Sequence, residues 1–214
     1  MSTFKGKTIE VKLTFTEGIL GTSPNDKDIY RNFIGSKSPD AMSVEEEVEC
    51  VGADAVIEKG MTVFPRDEDG NPFIYDYQIK GFFKDTCKAL SKVPGTESSK
   101  IKAYKQEIDT LIFPKPRQII FENVQMGVCQ RPLRASTALG ERVALAMSEE
   151  IAAGATITFE INALTDSVTK KTTGSSYDLM AAIREWLDYG QLRGIGQWRN
   201  SGKGRFDWEE IRCY

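Results

Sequence analysis

Apolar and polar residues alternate strictly through 8–16, TIEVKLTFT, with Ile9, Val11, Leu13 and Phe15 falling on one side. A period of two predicts a strand with one buried face. GILGTSPN follows as a turn-rich exit. DKDIYRNFIGSK predicts a short helix with Ile29, Phe33 and Ile34 together and Gly35 near its end. SVEEEVECVG predicts another, starting at Ser43, with carboxylates in the first turn where the helix dipole favours them. In TVFPRDEDGNPFIYDY, Asp69-Gly70-Asn71 separates two apolar runs, which is a hairpin signal.

The period changes in 78–93, QIKGFFKDTCKALSKV. Ile79, Phe82, Phe83, Leu90 and Val93 share one helical face, while Lys80, Lys84, Lys88 and Lys92 recur every four residues on another. Pro94-Gly95 ends that helix. A second over 98–113 buries Ile101, Tyr104, Ile108 and Leu111, and Pro114 and Pro116 terminate it. RQIIFENVQMGVCQRPLR reads as strand, Val143–Ile151 as extended, Ala152–Ala155 as a turn and Thr156–Ile161 as an alternating strand. TDSVTKKTTGSS is a polar loop carrying Lys170 and Lys171. SSYDLMAAIREWLDYG then gives a helix with Leu179, Met180, Ile183, Trp186 and Leu187 as its buried stripe. Ser175 or Ser176 would cap it and Gly190 would stop it. RFDWEEIRCY closes the chain as a strand.

The order is βαββαβ, which is the ferredoxin-like α+β arrangement. The expectation is a single domain over 1–214: an antiparallel sheet, helices on one face, and an inserted, partly helical acidic segment at about 22–72. A chain of 214 residues, 40% apolar, is ample for one core. No run approaches the roughly 18 apolar residues of a membrane span. MSTFKGKTIEVKLTF has no apolar h-region, so a cytoplasmic protein without a signal peptide is expected.

Chemistry is restricted by what is missing. There is no histidine, which removes the commonest general base and the Ser-His and Cys-His nucleophile pairs. Cys50, Cys87, Cys129 and Cys213 are far apart and form no C-x-x-C, so reduced thiols and no zinc are expected. Asp67, Asp69 and Asn71 sit at alternate positions like calcium ligands. However, Pro72 stands where the turn glycine belongs and Gln78 where the bidentate Glu belongs. No metal, cofactor or catalytic residue is assigned. Net charge is −3, yet residues 1–76 hold 8 basic and 15 acidic side chains while 77–214 hold 20 and 16. Arg193, Arg199, Lys203 and Arg205 occupy 190–206 without a carboxylate, a local field suited to phosphate. The lysine row of 80–92 reads either as a solvated helix face or as a phosphate-facing stripe.

GIGQWRNSGKGRFDW, 194–208, concentrates four glycines among these cations. It is no P-loop: five residues separate Gly196 from Gly202, and Gly204 replaces the Mg²⁺-binding hydroxyl. It is no dinucleotide fingerprint either, because Arg199 stands where the third glycine belongs. What the glycines allow is close backbone approach, to RNA or to the protein's own helix.

The spacing G-h-G-x(5)-G-x-G in GIGQWRNSGKGRF resembles the glycine-rich loop of the repeat-associated mystery protein (RAMP) superfamily, the RNA-recognition-motif-fold (RRM-type) RNA-binding subunits of CRISPR effector complexes. IKGFFKDTCKAL looks like that family's glycine-led helix, and MSEEIAAGATITFEI like its strand-turn-strand before the final helix. The resemblance implies a ferredoxin-like RNA or single-stranded nucleic-acid binder. By analogy, Gly194, Gly196, Gly202 and Gly204 approach the backbone; Arg199, Lys203 and Arg205 neutralise phosphates; Trp198 stacks on a base. Lys80, Lys84, Arg131 and Arg134 are the flanking cations assigned to the same interface. Processing endoribonucleases of the superfamily commonly use histidine, so cleavage would need a Lys/Tyr/Ser site such as Tyr30, Lys80 and Ser136, and a binder without catalysis is favoured. Two rivals stay open. One is a protein–protein module, a scaffold, decoy or inhibitor, making contacts to other subunits through the acidic segment 40–58. The other is a purely structural loop packed on its own helix, with Phe206 and Trp208 buried.

Overall fold

The computed structural model describes residues 6–24, 61–137, 140–169 and 176–214, with the side chains of 133–145 outside that description. The expected helices over DKDIYRNFIGSK and SVEEEVECVG, the acidic segment 40–58, Tyr30, Lys170 and Lys171 lie outside the described residues. So do the side chains of Arg134 and Ser136.

Strand β1 (Lys7–Phe15) buries Ile9, Val11, Leu13 and Phe15 as its alternation requires. Four short strands follow: β2 (Ile19–Leu20), β3 (Ser23–Pro24), β4 (Thr62–Val63) and β5 (Phe73–Tyr75). The hairpin expected around Asp69-Gly70-Asn71 is reduced to a turn with one bridge, Arg66 to Pro72. Its two arms are recruited elsewhere, β4 by β3 and a later strand, β5 by the main sheet. The Asp67 carboxylate closes the turn by accepting from the backbone N–H of Asn71 (2.7 Å) and Asp69 (3.1 Å) and from Asn71 Nδ2 (3.1 Å). These bonds, the Asn71 side chain first, hold its pKa below the usual carboxylate range.

Helix α1 (Asp76–Leu90) begins where Gln78 Oε1 accepts from the Tyr75 N–H at 2.9 Å. It ends at Leu90, so Val93 is exposed rather than on the buried stripe. The second helix, α2 (Tyr104–Leu111), is shorter than expected. Ser98–Lys100 forms a separate 3-10 turn, and the apolar residues after Leu111 become strand β6 (Ile112–Lys115). Strand β7 (Gln118–Glu122) follows, then a long antiparallel ribbon, β8 (Met126–Thr137) with β9 (Gly140–Ile151). After β10 (Thr156–Ala163), the expected polar loop contains a small pairing of β11 (Ser167–Thr169) with β12 (Ser176–Asp178).

Helix α3 (Leu179–Arg193) buries the predicted stripe of Leu179, Met180, Ile183, Trp186 and Leu187. Two details differ from the sequence reading. Asp178, not Ser175 or Ser176, caps it, accepting from the Ala181 N–H at 2.9 Å. Gly190 does not stop it but lies inside, where the Phe206 ring occupies the space of a side chain. The helix continues to Arg193, and Gly194 at φ 73° ends it. Strand β13 (Phe206–Cys213) closes the chain.

The main sheet is antiparallel with order β13-β1-β10-β7-β5, and β6 pairs with β10 beside β7. Side chains from one sheet face and from α1 and α3 form one apolar cluster that includes Phe15, Phe83, Phe159, Trp186 and Phe206. The second sheet pairs β9 with β8 along one edge and with β2 and β4 along the other. The segment 194–205 thus leaves α3, crosses to the β8–β9 ribbon and β2, and returns into β13. No described helix is long and apolar enough to cross a membrane.

Candidate nucleic-acid interface

The glycines of the C-terminal loop serve contacts within the chain. The Ile195 N–H donates to Gly204 O at 2.9 Å and the Gly204 N–H to Gly18 O at 2.9 Å, drawing the two ends of the loop together on the β1–β2 connection. A Cβ on Gly194 would stand 2.6 Å from Lys203 O, and one on Gly204 would overlap the Ile195 carbonyl. Gly196 and Gly202 have φ of 88° and 87°, a left-handed backbone that side chains disfavour. At Gly194 and Gly204 the chain approaches its own main chain closely, whereas Gly196 and Gly202 serve the left-handed backbone of the loop.

Gln197 fastens the loop to the second sheet. Its Nε2 donates to Gly21 O and to Thr62 Oγ1 (2.9 Å), and its Oε1 accepts from Arg131 Nη2 at 3.3 Å. Arg131 Nη2 also donates to Ser148 Oγ at 3.1 Å, and its guanidinium lies 4.5 Å above the Trp198 ring. The indole assigned to base stacking thus already holds a cation, a contact that favours the partner through the ring quadrupole. Trp198 has φ 59°, one of two non-glycine residues with positive φ among those described.

The cations divide into paired and free. Arg199 Nη1 meets Asp85 of α1 at 2.6 Å, and Arg193 shares that carboxylate at 3.7 Å. Lys203 Nζ lies 2.5 Å from Glu150 Oε1, and this hydrogen bond raises its pKa. Arg205 is exposed and makes no ion pair among the described residues; its guanidinium lies over Gly202. Lys84 pairs with Asp109 at 2.6 Å, while Lys80 donates to Asp109 O and covers the Phe113 ring at 4.4 Å. Those two lysines turn to α2 and β6, whereas Arg131 joins the loop.

Between the loop and α1 lies a cavity of about 230 Å³. Ile19, Phe64, Ile74 and Phe82 form apolar walls, and Gln78, Gln197 and Arg199 stand at its polar margin. Gly81 also lines it, and a Cβ there would meet nothing within 4 Å. At the N-terminal end of α1 the rings of Tyr75 and Tyr77 stack at 5.1 Å, with the Arg117 guanidinium 5.5 and 5.7 Å from them. Tyr77 is 54% exposed, so this aromatic-cation surface is open. Tyr75-Asp76-Tyr77, straddling the start of α1, was a visible sequence signal for it. Asp85, Ser148, Thr62 and Glu150 carried no such signal, because their roles arise only from contacts between elements distant in sequence.

The opposite face of the main sheet has another character. Register places Glu10, Glu122, Glu160, Asp207 and Glu209 there with Lys12, Lys115 and Arg212. Arg212 binds Glu10 at 2.5 Å, and the Tyr214 hydroxyl donates to Glu160 at 2.8 Å, which raises the Tyr214 pKa. Among the described residues no group of three or more Cys, Asp or Glu is arranged to hold a metal.

No family model and no curated protein matches this chain. Among solved structures, a chain in the cryo-EM structure of a type III-B Cmr-beta bound to cognate target RNA matches with a TM-score of 0.47 at 13% identity, over 98% of this chain. The match spans 60% of that longer chain.

Proposed function

We propose that this chain is a single ferredoxin-like domain of RAMP type, with an insertion at about 22–72, that binds RNA or single-stranded nucleic acid without cleaving it. The strand order β13-β1-β10-β7, with α1 and α3 on one face, supports that fold. The cleft between the glycine loop and α1 carries the functional reading. Its apolar walls accommodate one nucleobase, Arg199 at its margin and the exposed Arg205 further along the loop face phosphate, and the Tyr75–Tyr77–Arg117 stack extends the surface with a platform for bases. Gly194 and Gly204 shape the loop, and Gln197 fastens it to the second sheet.

Fluorescence anisotropy of a labelled oligouridine over a salt series tests this reading. Binding weakens steeply with salt, and Arg205→Ala lowers the log–log slope by about one. Absence of binding at low salt, with purified protein free of nucleic acid, contradicts it.

One observation favours a protein-binding module instead: the acidic open face of the sheet, which repels phosphate and suits a basic protein surface. If that reading holds, Glu10→Lys with Glu160→Lys abolishes capture of a partner subunit and leaves oligouridine affinity unchanged.

A further inference from the structure

Arg131 is 6% exposed, and its Nε and Nη1 have no hydrogen-bond partner among the described residues. A guanidinium stays protonated and offers five N–H donors, so buried nitrogens of this kind are normally paired. Of the other cations around the loop only the solvent-exposed Arg205 lacks a carboxylate among the described residues: Arg193 and Arg199 share Asp85, Lys203 has Glu150, and Arg66 has Glu149 at 2.7 Å. Among the described residues Arg131 has only the neutral oxygens of Ser148 and Gln197, both on Nη2, and the Trp198 ring. A ring face offsets only part of the cost of withdrawing a charge from water. The indole that supplies it is held in a left-handed backbone conformation, φ 59°, that a tryptophan adopts at a cost. Strain of this kind clusters at ligand clamps.

We propose that Arg131 is the core of a phosphate-binding site and that Trp198 is its displaceable cover. An incoming phosphate group takes the place of the indole beside the guanidinium and accepts from Nε or Nη1. Ser148 and Gln197 keep the arginine aimed by holding Nη2. Arg205 on the same loop, exposed and without an ion pair among the described residues, raises the local positive potential and favours an oxyanion over a neutral ligand. Phosphate is named because its several acceptor oxygens suit donors on two separate nitrogens. It can come from a strand's diester or from a free or terminal phosphate. Only the first source rests on the nucleic-acid reading above.

The test uses the full chain and three probes: inorganic pyrophosphate, an oligouridine, and the same oligouridine with a 5′-phosphate. Binding moves Trp198 away from Arg131, so emission changes on titration, and the change disappears in Trp198→Phe while Trp186 and Trp208 remain. Arg131→Met weakens binding of the effective probe by about tenfold or more. Its melting temperature holds or rises in buffer, because an uncompensated charge has been removed, and the rise that pyrophosphate gives the wild type is lost. If Arg131→Met does not fold, the wild-type emission and melting shifts with pyrophosphate still decide. A response to pyrophosphate without oligouridine binding keeps the site and removes the nucleic-acid reading. A response to the 5′-phosphorylated probe alone assigns a terminal phosphate. Oligouridine binding with silent Trp198 emission and full affinity in Arg131→Met overturns the site and leaves the reading standing. No melting or emission response to any probe also overturns it.

Discussion

The phenyl ring of Phe206 lies against the Cα of Gly190, filling the space where a side chain would begin. This contact lets α3 and β13 approach each other, and it explains a glycine in the middle of a helix where propensity disfavours one. Gly190→Ala forces the ring out of the packed core and costs roughly 1–3 kcal/mol. Gly81, also helical, has open space at its Cβ position. Gly81→Ala therefore stabilises by roughly 0.5–1 kcal/mol. Urea unfolding of both variants checks the contrast, which glycine counting alone would miss.

Asp85 holds both Arg193 and Arg199 against α1. In the proposed interface this carboxylate competes with phosphate for those guanidinium groups. Asp85→Asn therefore tightens oligouridine binding several-fold at low salt and steepens its salt dependence. Unchanged affinity would mean that the two arginines serve only to anchor the loop.

Cys87 is buried, and desolvation raises its pKa from 9.0 to about 11. The folded thiol thus keeps its proton after the unfolded one has lost it. The sign follows: this group costs nothing below pH 9, and stability falls as pH rises from 9 towards 11. In Cys87→Ala that part of the alkaline decline is absent. At pH 8, alkylation followed by peptide mass spectrometry labels exposed Cys213 readily and Cys87 only on unfolding.

How much of this was legible in sequence depended on whether burial was one-sided. The alternation of β1 and β10 and the stripe of α3 were visible because each element packs a single face on the core. Strands β2 to β5 are two or three residues long, and only their tertiary partners make them strands. The polar run before α3 hid the β11–β12 pairing for the same reason. The cationic window 190–206 was legible, but Asp85 and Glu150, which neutralise Arg199 and Lys203, come from distant elements. The glycine spacing marked the right loop. It could not tell that Gly194 and Gly204 approach their own backbone, since a glycine-rich loop looks alike whichever main chain it meets.

The most direct measurement fills the cleft without disturbing the fold. Gly81 lines the cavity beside the glycine loop, and a Cβ there would meet open space. Leucine is a better helix former than glycine, so Gly81→Leu keeps or raises the unfolding midpoint. Anisotropy titration with labelled oligouridine should then show affinity at least about tenfold weaker than wild type. Equal affinity in a folded Gly81→Leu protein would contradict nucleic-acid binding in this cleft.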